Sequence, residues 1–524
     1  MTQKAKCLGA LDAKRFTPAT VREEIRRNLI RKLRAGEKLF PGVVGFEESV
    51  IPQVVNALLA RQDIIFLGLR GQAKTRLCRL LADFLDEETP AIADSPLREH
   101  PLAAVTERSR ERVEREGADL PIEWIPREAR YGEKLATPDV TMADLIGDVD
   151  PLKAAHRKLD LSNEEAIHFG IIPRMNRGIF AVNELPDLAP RIQVGLLNIL
   201  EERDIQIRGF PVRFPLDLVL VFTANPEDYT NRGSIITPLK DRIASQILTH
   251  YPRTIEDARA ITAAEAYLER GDGLTRVEIP EWMADIIEEI AFRGRDSEYV
   301  DQKSGVSARL PIAAREVLVS QVERRLVRDA RAAPVPRVVD LAQLIPAITG
   351  KVELVFEGEQ EGTLKVARHL VGTACRTVFD RRFPDVIREG SEPEHPKGRK
   401  GSAGRGTPAR PAHKRAQDDE ATEETPADPR NDRYKPILDW FAGGKKLELS
   451  DDLDDESYCK ALEAIPGLSD VAGEFLPASS RAERAAVMEL VLEGLHQHSL
   501  LAKEDVAARA SYSDMLGVML EGLK

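Results

Sequence analysis

The residues best suited to chemistry form one short run, Gly68-Leu69-Arg70-Gly71-Gln72-Ala73-Lys74-Thr75. Its glycines let the backbone turn N–H groups toward one point, and a lysine and a hydroxyl follow where a helix would begin. That combination suits a phosphate chain. The N–H groups and the helix N-terminus face the anion, Lys74 neutralises β- and γ-phosphate oxygens, and Thr75 offers its hydroxyl to magnesium. Gly68, Gly71, Gln72, Ala73 and Arg76 complete the expected binding set. The run departs from G-x-x-x-x-G-K-[ST] at Ala73, where glycine is usual, so an ordinary glycine-rich turn is the competing explanation for this motif alone.

About 110 residues further on, the apolar run GIFAV ends in Asn183-Glu184. A strand ending there would deliver two polar side chains to the same phosphate. Asn183 can hydrogen-bond a metal-bound water without bringing charge, and Glu184 can accept a proton from an attacking water. A third run, LVLVF, ends in Thr223-Ala-Asn225-Pro, where a polar side chain can hold that water or the terminal phosphate. Two arginines follow, Arg242 in TPLKDR and Arg309 in SAR.

The elements around these residues follow from hydrophobic periodicity. Ile64-Ile65-Phe66-Leu67, Gly178 to Glu184 and Leu218 to Asn225 are short continuous apolar runs, the signature of strands buried on both faces of a parallel sheet. Helical patterns over 75–85 and 191–202 alternate with them, which predicts an α/β domain. Two β-like runs, DIQIRG and VRF, predict a hairpin before the third strand. Val21, Ile25, Leu29 and Leu33 predict a helix opening at Thr17-Pro18. Residues 254–269, 281–293, 307–327 and 340–348 read as helices only. Residues 388–432 are rich in Pro, Gly and charge and nearly free of aliphatics, which predicts a disordered linker.

Composition sets the outer limits. The 524 residues carry a net charge of -12, which disfavours non-specific nucleic-acid or anionic-membrane binding. Apolar runs fall short of a membrane span and the N-terminus lacks a signal core, so cytoplasm is expected. Cys7, Cys78, Cys375 and Cys459 are scattered without a C-x-x-C pair, as reduced structural thiols would be. His156, His168 and His250 are isolated and predict no metal site.

Taken in order, FPGVVG, GLRGQAKT, ADLIGDVD, PRMNRGIFAVNELPDL, LLNILEERDIQIRG, TANPED, PLKDR and SARLP resemble the AAA+ ATPases of the MoxR and magnesium-chelatase ATPase-subunit clade over about residues 36–350. Ala-Lys-[ST] also occurs in MoxR-type loops. The resemblance implies an ATP- and magnesium-dependent ATPase with Asn225 as sensor 1, Arg242 as a finger reaching the neighbouring subunit, and Arg309 as sensor 2. It also implies a homo-oligomeric ring, a hexamer in this clade, often with a von Willebrand A domain partner. The expected organisation is an N-terminal helical segment (1–35), an α/β nucleotide-binding domain (36–252), a helical lid (253–350), an extension (351–387), the linker (388–432) and a small helical C-terminal domain (433–524). Rival expectations are the motor subunit of a magnesium chelatase and an ATP-binding switch with weak hydrolysis. A sigma-factor activator is disfavoured because GAFTGA is absent.

Overall fold

Ile64–Leu67 forms the first strand, β1, of a five-stranded sheet. The others are β2 (Tyr131–Leu135), β3 (Gly178–Asn183), β4 (Leu218–Ala224) and β5 (Ser245–Leu248). All neighbours are parallel and the spatial order is β5-β1-β4-β3-β2. In this computed structural model the described residues are 4–157, 164–207, 213–226, 233–271, 273–384, 386, 433–506 and 509–515. Strands β2 and β5 escape a search for apolar runs because their burial is partial, with Leu135 and Leu248 exposed.

Period-two alternation sorts the strand residues onto two cores. Ile64, Phe66, Ile179, Ala181, Val219 and Val221 pack on one face with Leu77 and Cys78 of α3 (Lys74–Leu80) and with residues of α1 (Val21–Ala35) and α2 (Val50–Leu59). Ile65, Phe180, Val182, Leu218, Leu220 and Phe222 pack on the other with Ile192, Leu196 and Ile199 of α4 (Pro190–Glu201). This is the parallel α/β arrangement, flanked by helices, that the sequence predicts for the nucleotide-binding domain. The hairpin predicted before the third apolar strand is present, with Asp204–Gln206 antiparallel to Arg213–Pro215; its tip lies outside the described residues. Then come α5 (Thr237–Arg242) and α6 (Ile255–Glu265).

One helix start differs from expectation. α1 opens at Val21, not at Thr17-Pro18, because Thr20 and Glu23 form a reciprocal capping box. Asp217 also accepts from the Val21 N–H at 2.8 Å. Arg130, 1% exposed at its side chain, pairs with Glu24 through two 2.6 Å hydrogen bonds and ties the helix to the sheet domain.

The chain divides into two units. One is Met1–Ala266, Gly294–Ala313 and Gly350–Glu361; the other is Tyr267–Arg293, Ala314–Thr349 and Gly362–Lys524. The division runs through the stretch expected to be one helical lid, falling within α7 (Glu281–Asp296) and α8 (Arg309–Arg328). The second unit is mainly helical, as expected, and adds a three-stranded antiparallel sheet that no sequence pattern announces. Its strands are β6 (Leu447–Ser450), β7 (Leu501–Val506) and β8 (Arg509–Asp514), ordered β6-β8-β7. In this unit α9 (Thr363–Arg382) approaches α10 (Arg481–Gln497) closely enough that a Cβ on Gly372 would lie 2.5 Å from the Gln497 amide. The Tyr434 hydroxyl donates to the Pro384 carbonyl at 3.1 Å, so the chain re-enters beside the point where it left. The predicted linker itself lies outside the described residues.

Two carboxylates lie on the buried face of α10. Glu493 pairs with Lys503 at 2.9 Å and accepts from Tyr512. Glu489 accepts from the Val338 N–H at 2.9 Å and from the Tyr458 hydroxyl at 2.6 Å. Burial pushes the Glu489 carboxyl from its ordinary 4.5 up to about 7, against the pull of Tyr458, Lys503 and Arg337 and with a push from Asp340. The folded state therefore holds a proton that the unfolded chain releases above about pH 4.5. Stability from this group falls as pH rises from there to about 7, by roughly 3 kcal/mol at most. Urea unfolding at pH 5 and pH 8 should show this loss in the parent and not in Glu489→Gln. Equal pH slopes in the two proteins would refute it.

Candidate nucleotide site

The carboxyl ends of the parallel strands carry the expected chemistry, the edge where open α/β sheets bind ligands. β1 hands the chain to the Gly68–Ala73 loop, and Lys74 opens α3. The loop is built from close approaches. The Gly68 N–H donates to the Ala224 carbonyl at 3.2 Å. A Cβ on Gly68 would sit 2.0 Å from the Thr249 hydroxyl and 2.2 Å from the Gln72 side-chain oxygen. Those two groups are themselves bonded, Thr249 donating to Gln72 at 2.8 Å. Gln72 thus faces inward and anchors the loop to the end of β5; any contact with phosphate from this residue falls to its backbone.

Gly71 has φ +75, and a Cβ there would lie 2.1 Å from the Ser307 hydroxyl. Only glycine meets both demands. Ala73 has φ 56 and ψ 15, the left-handed conformation that explains why glycine is usual here; the methyl points to solvent in an exposed residue. The loop holds alanine without a clash, at the ordinary penalty of roughly 1–2 kcal/mol for an L-residue in that region.

The Lys74 side chain is buried and curls back over the loop, donating to the Gly68 carbonyl and, at 3.0 Å, to the Leu69 carbonyl. Thr75 is half-buried in the first turn of α3. Arg76 is turned away to Glu265 of α6, with its guanidinium against Gly42.

Alternation brings the next group to the same face as α3. Ile179 and Ala181 of β3 and Val219 and Val221 of β4 face Leu77 and Cys78, so Asn183, Thr223 and Asn225 follow on that side. Asn225 is 1% exposed, one residue past Ala224, which pairs with Leu67. Glu184 is half-buried with φ 56 and ψ 52, a left-handed backbone at a glutamate. Left-handed non-glycine residues concentrate at functional sites. The Glu184 N–H donates to the Thr223 hydroxyl at 3.1 Å, and that hydroxyl donates to Asn183 Oδ1 at 3.4 Å.

The two arginines part company. Arg309 opens α8, exposed, with its N–H on the Ser307 hydroxyl at 3.2 Å, two residues from the contact with Gly71. Tyr251 reinforces this approach by donating to the Arg70 carbonyl at 2.9 Å, with its hydroxyl 2.7 Å from where a Gly305 Cβ would be. Arg242, at the end of α5, pairs with Glu201 of α4 at 2.6 Å and donates to the Pro238 carbonyl at 3.0 Å. Within one chain it is therefore a half-exposed ion pair.

Among the described residues no group of three or more His, Cys, Asp or Glu could hold a metal ion. Thr75 and Asn183 each offer a neutral oxygen, so a hydrated magnesium here would depend on substrate phosphates, not a protein carboxylate, for its charge balance. Sequence reading passed over Thr223, Thr249, Tyr251 and Ser307 as site residues. Thr223 could have been found by counting back two from Asn225 along the strand. The other three depend on folding that periodicity does not encode.

No family model and no curated protein matches the chain. Solved structures do resemble it. A model of the BchI and BchD subunits of magnesium chelatase is 19% identical, covers 62% of this chain and 98% of that one, and has a TM-score of 0.32. NtrX from Brucella abortus in complex with ATP is 14% identical, covers 67% and 66%, and has a TM-score of 0.37. RuvB from Thermotoga maritima is 14% identical, covers 58% and 71%, and has a TM-score of 0.31.

Proposed function

We propose that this chain binds and hydrolyses ATP as an AAA+ motor that works in a ring and remodels or activates a partner protein. The observation that carries this is the convergence of Lys74 and its loop, Asn183-Glu184, Asn225 and the Ser307–Arg309 turn at the carboxyl edge of one parallel sheet. The loop N–H groups and the α3 N-terminus receive phosphate, and Lys74 exchanges loop carbonyls for phosphate oxygens. Thr75 and Asn183 would hold magnesium, which would supply charge neutralisation on the phosphates. Glu184 takes the proton of the water whose oxygen bonds to the γ-phosphorus as the bond to the β-γ bridging oxygen breaks. Asn225 orients that water, Arg309 senses the nucleotide and Arg242 acts on the neighbouring subunit's γ-phosphate.

The finer reading is a hexameric, cytoplasmic MoxR-type ATPase acting on a von Willebrand A domain protein. The motor subunit of a magnesium chelatase is the alternative within the same clade. Among the described residues no helix is long and apolar enough to cross a membrane. One observation favours a second reading: Asn183 stands where a carboxylate would bring charge to the metal, which suits an ATP-responsive switch with slow turnover.

Turnover by purified protein separates these readings. Glu184→Gln should still bind ATP but lose hydrolysis, since an amide cannot take the proton. The expected loss is on the order of 10²–10⁴-fold, the usual contribution of a general base. Parent-like turnover in Glu184→Gln would remove Glu184 from the base position. Tight ATP binding with negligible turnover in the parent would favour the switch.

A further inference from the structure

We propose that Thr223 is a positioning residue for hydrolysis, holding Glu184 in its working orientation through the backbone; this rests on the reading of Glu184 as the base. Glu184 occupies a left-handed conformation that costs an L-residue free energy, so surrounding contacts must keep it there. Two are backbone bonds of its neighbourhood: the Ala136 N–H reaches the Asn183 carbonyl at 2.8 Å, and the Asp187 N–H reaches the Glu184 carbonyl at 3.0 Å. Another is made by the Glu184 N–H itself, which donates to the Thr223 hydroxyl at 3.1 Å.

Thr223 is suited to that task. It is 1% exposed, and its hydroxyl is the only side-chain polar group in β4, whose other residues are Leu218, Val219, Leu220, Val221, Phe222 and Ala224. The β3–β4 ladder ends at Phe222 against Val182, which sets Thr223 beside Asn183 just where β3 gives way to the Glu184 turn. Its β-branched side chain is stiff about χ1, so the hydroxyl is fixed in place. That oxygen accepts from Glu184 and gives its own proton to Asn183 Oδ1, using donor and acceptor capacity together. One hydroxyl therefore sets both polar residues at the end of β3, and it fixes which end of the Asn183 amide is engaged. Removing it leaves the Glu184 N–H without this acceptor, and the turn can relax toward extended backbone. Such a change re-aims the carboxylate.

A purely structural residue at this place could be valine, which has the same shape and a high strand preference. The test compares Thr223→Val, Thr223→Ser and Glu184→Gln in the full chain. Binding of a fluorescent ATP analogue and steady-state turnover are the readouts. Thr223→Val should keep nucleotide affinity and KM within about twofold while kcat falls on the order of 10²-fold, the scale of a misplacement of about 1 Å. Thr223→Ser should recover most of kcat. If Thr223→Val turns over like the parent while Glu184→Gln is inactive, Thr223 does not position the base and the proposal fails alone. If Glu184→Gln turns over like the parent, the base assignment fails and takes the proposal with it. Loss of affinity in proportion to kcat, with no recovery by serine, would also overturn it. Should Thr223→Val not fold, Thr223→Cys decides, because a thiol is a weak hydrogen-bonding group of nearly serine's size. A kcat loss there at unchanged KM supports the assignment, and parity with Thr223→Ser overturns it.

Discussion

Lys74→Ala should abolish measurable ATP binding and turnover and leave the fold intact. In the folded chain the Lys74 ammonium donates to the loop carbonyls of Gly68 and Leu69. Its core-forming neighbours are Leu77 and Cys78, which remain. The phosphates lose a positive charge carried by a buried side chain, where it acts more strongly than in bulk solvent. Calorimetric titration with a non-hydrolysable analogue measures the effect, and thermal melting reports the fold. Unchanged affinity would sink the assignment of this loop to phosphate.

Arg242→Ala should preserve nucleotide binding by each subunit and remove most of the turnover. Arginines supplied in trans contribute roughly 10³–10⁵-fold in related phosphoryl-transfer systems. Mixing decides whether the site is shared. Arg242→Ala and Glu184→Gln proteins are each expected to be nearly inactive alone. A mixed ring contains interfaces with an intact Glu184 on one side and an intact Arg242 on the other, and those should regain activity. No recovery under conditions where subunits demonstrably exchange would show that Arg242 is not the finger or that the site is not shared. Full-rate hydrolysis by a monomer would end the ring. The Glu201 carboxylate is a cis competitor for the same guanidinium, so Glu201→Gln should leave Arg242 free to act and should not mimic its loss.

What could be read in advance was what repeats or clusters along the chain. β1, β3 and β4 are buried on both faces and written as continuous apolar runs, and the residues after each run are the polar ones that meet at the sheet edge. β2 and β5 are edge strands with exposed positions, so their pattern is diluted. Pro18 is a weaker start signal than the paired side chains of Thr20 and Glu23, so α1 opens later than the sequence pattern predicts. Within the site, types were legible and directions were not. Gln72 and Arg76 belong to the loop motif, yet one side chain braces Thr249 and the other pairs with Glu265. Those outcomes depend on residues nearly 180 and 190 positions away in sequence.

The strand order also governs how the molecule can be made. β1 is complete by residue 67, but the strands that flank it are β4, reached at residue 218, and β5, at residue 245. As the chain leaves the ribosome, β1 waits with both hydrogen-bonding edges open while some 150 further residues are added. Exposed apolar edges of that kind template intermolecular pairing. A nascent chain halted before residue 218 would carry the whole phosphate loop and still have no Ala224 carbonyl or Thr249 hydroxyl to shape it. The shaping of this loop is therefore a late event in synthesis, and a chain interrupted in that interval should be prone to aggregate.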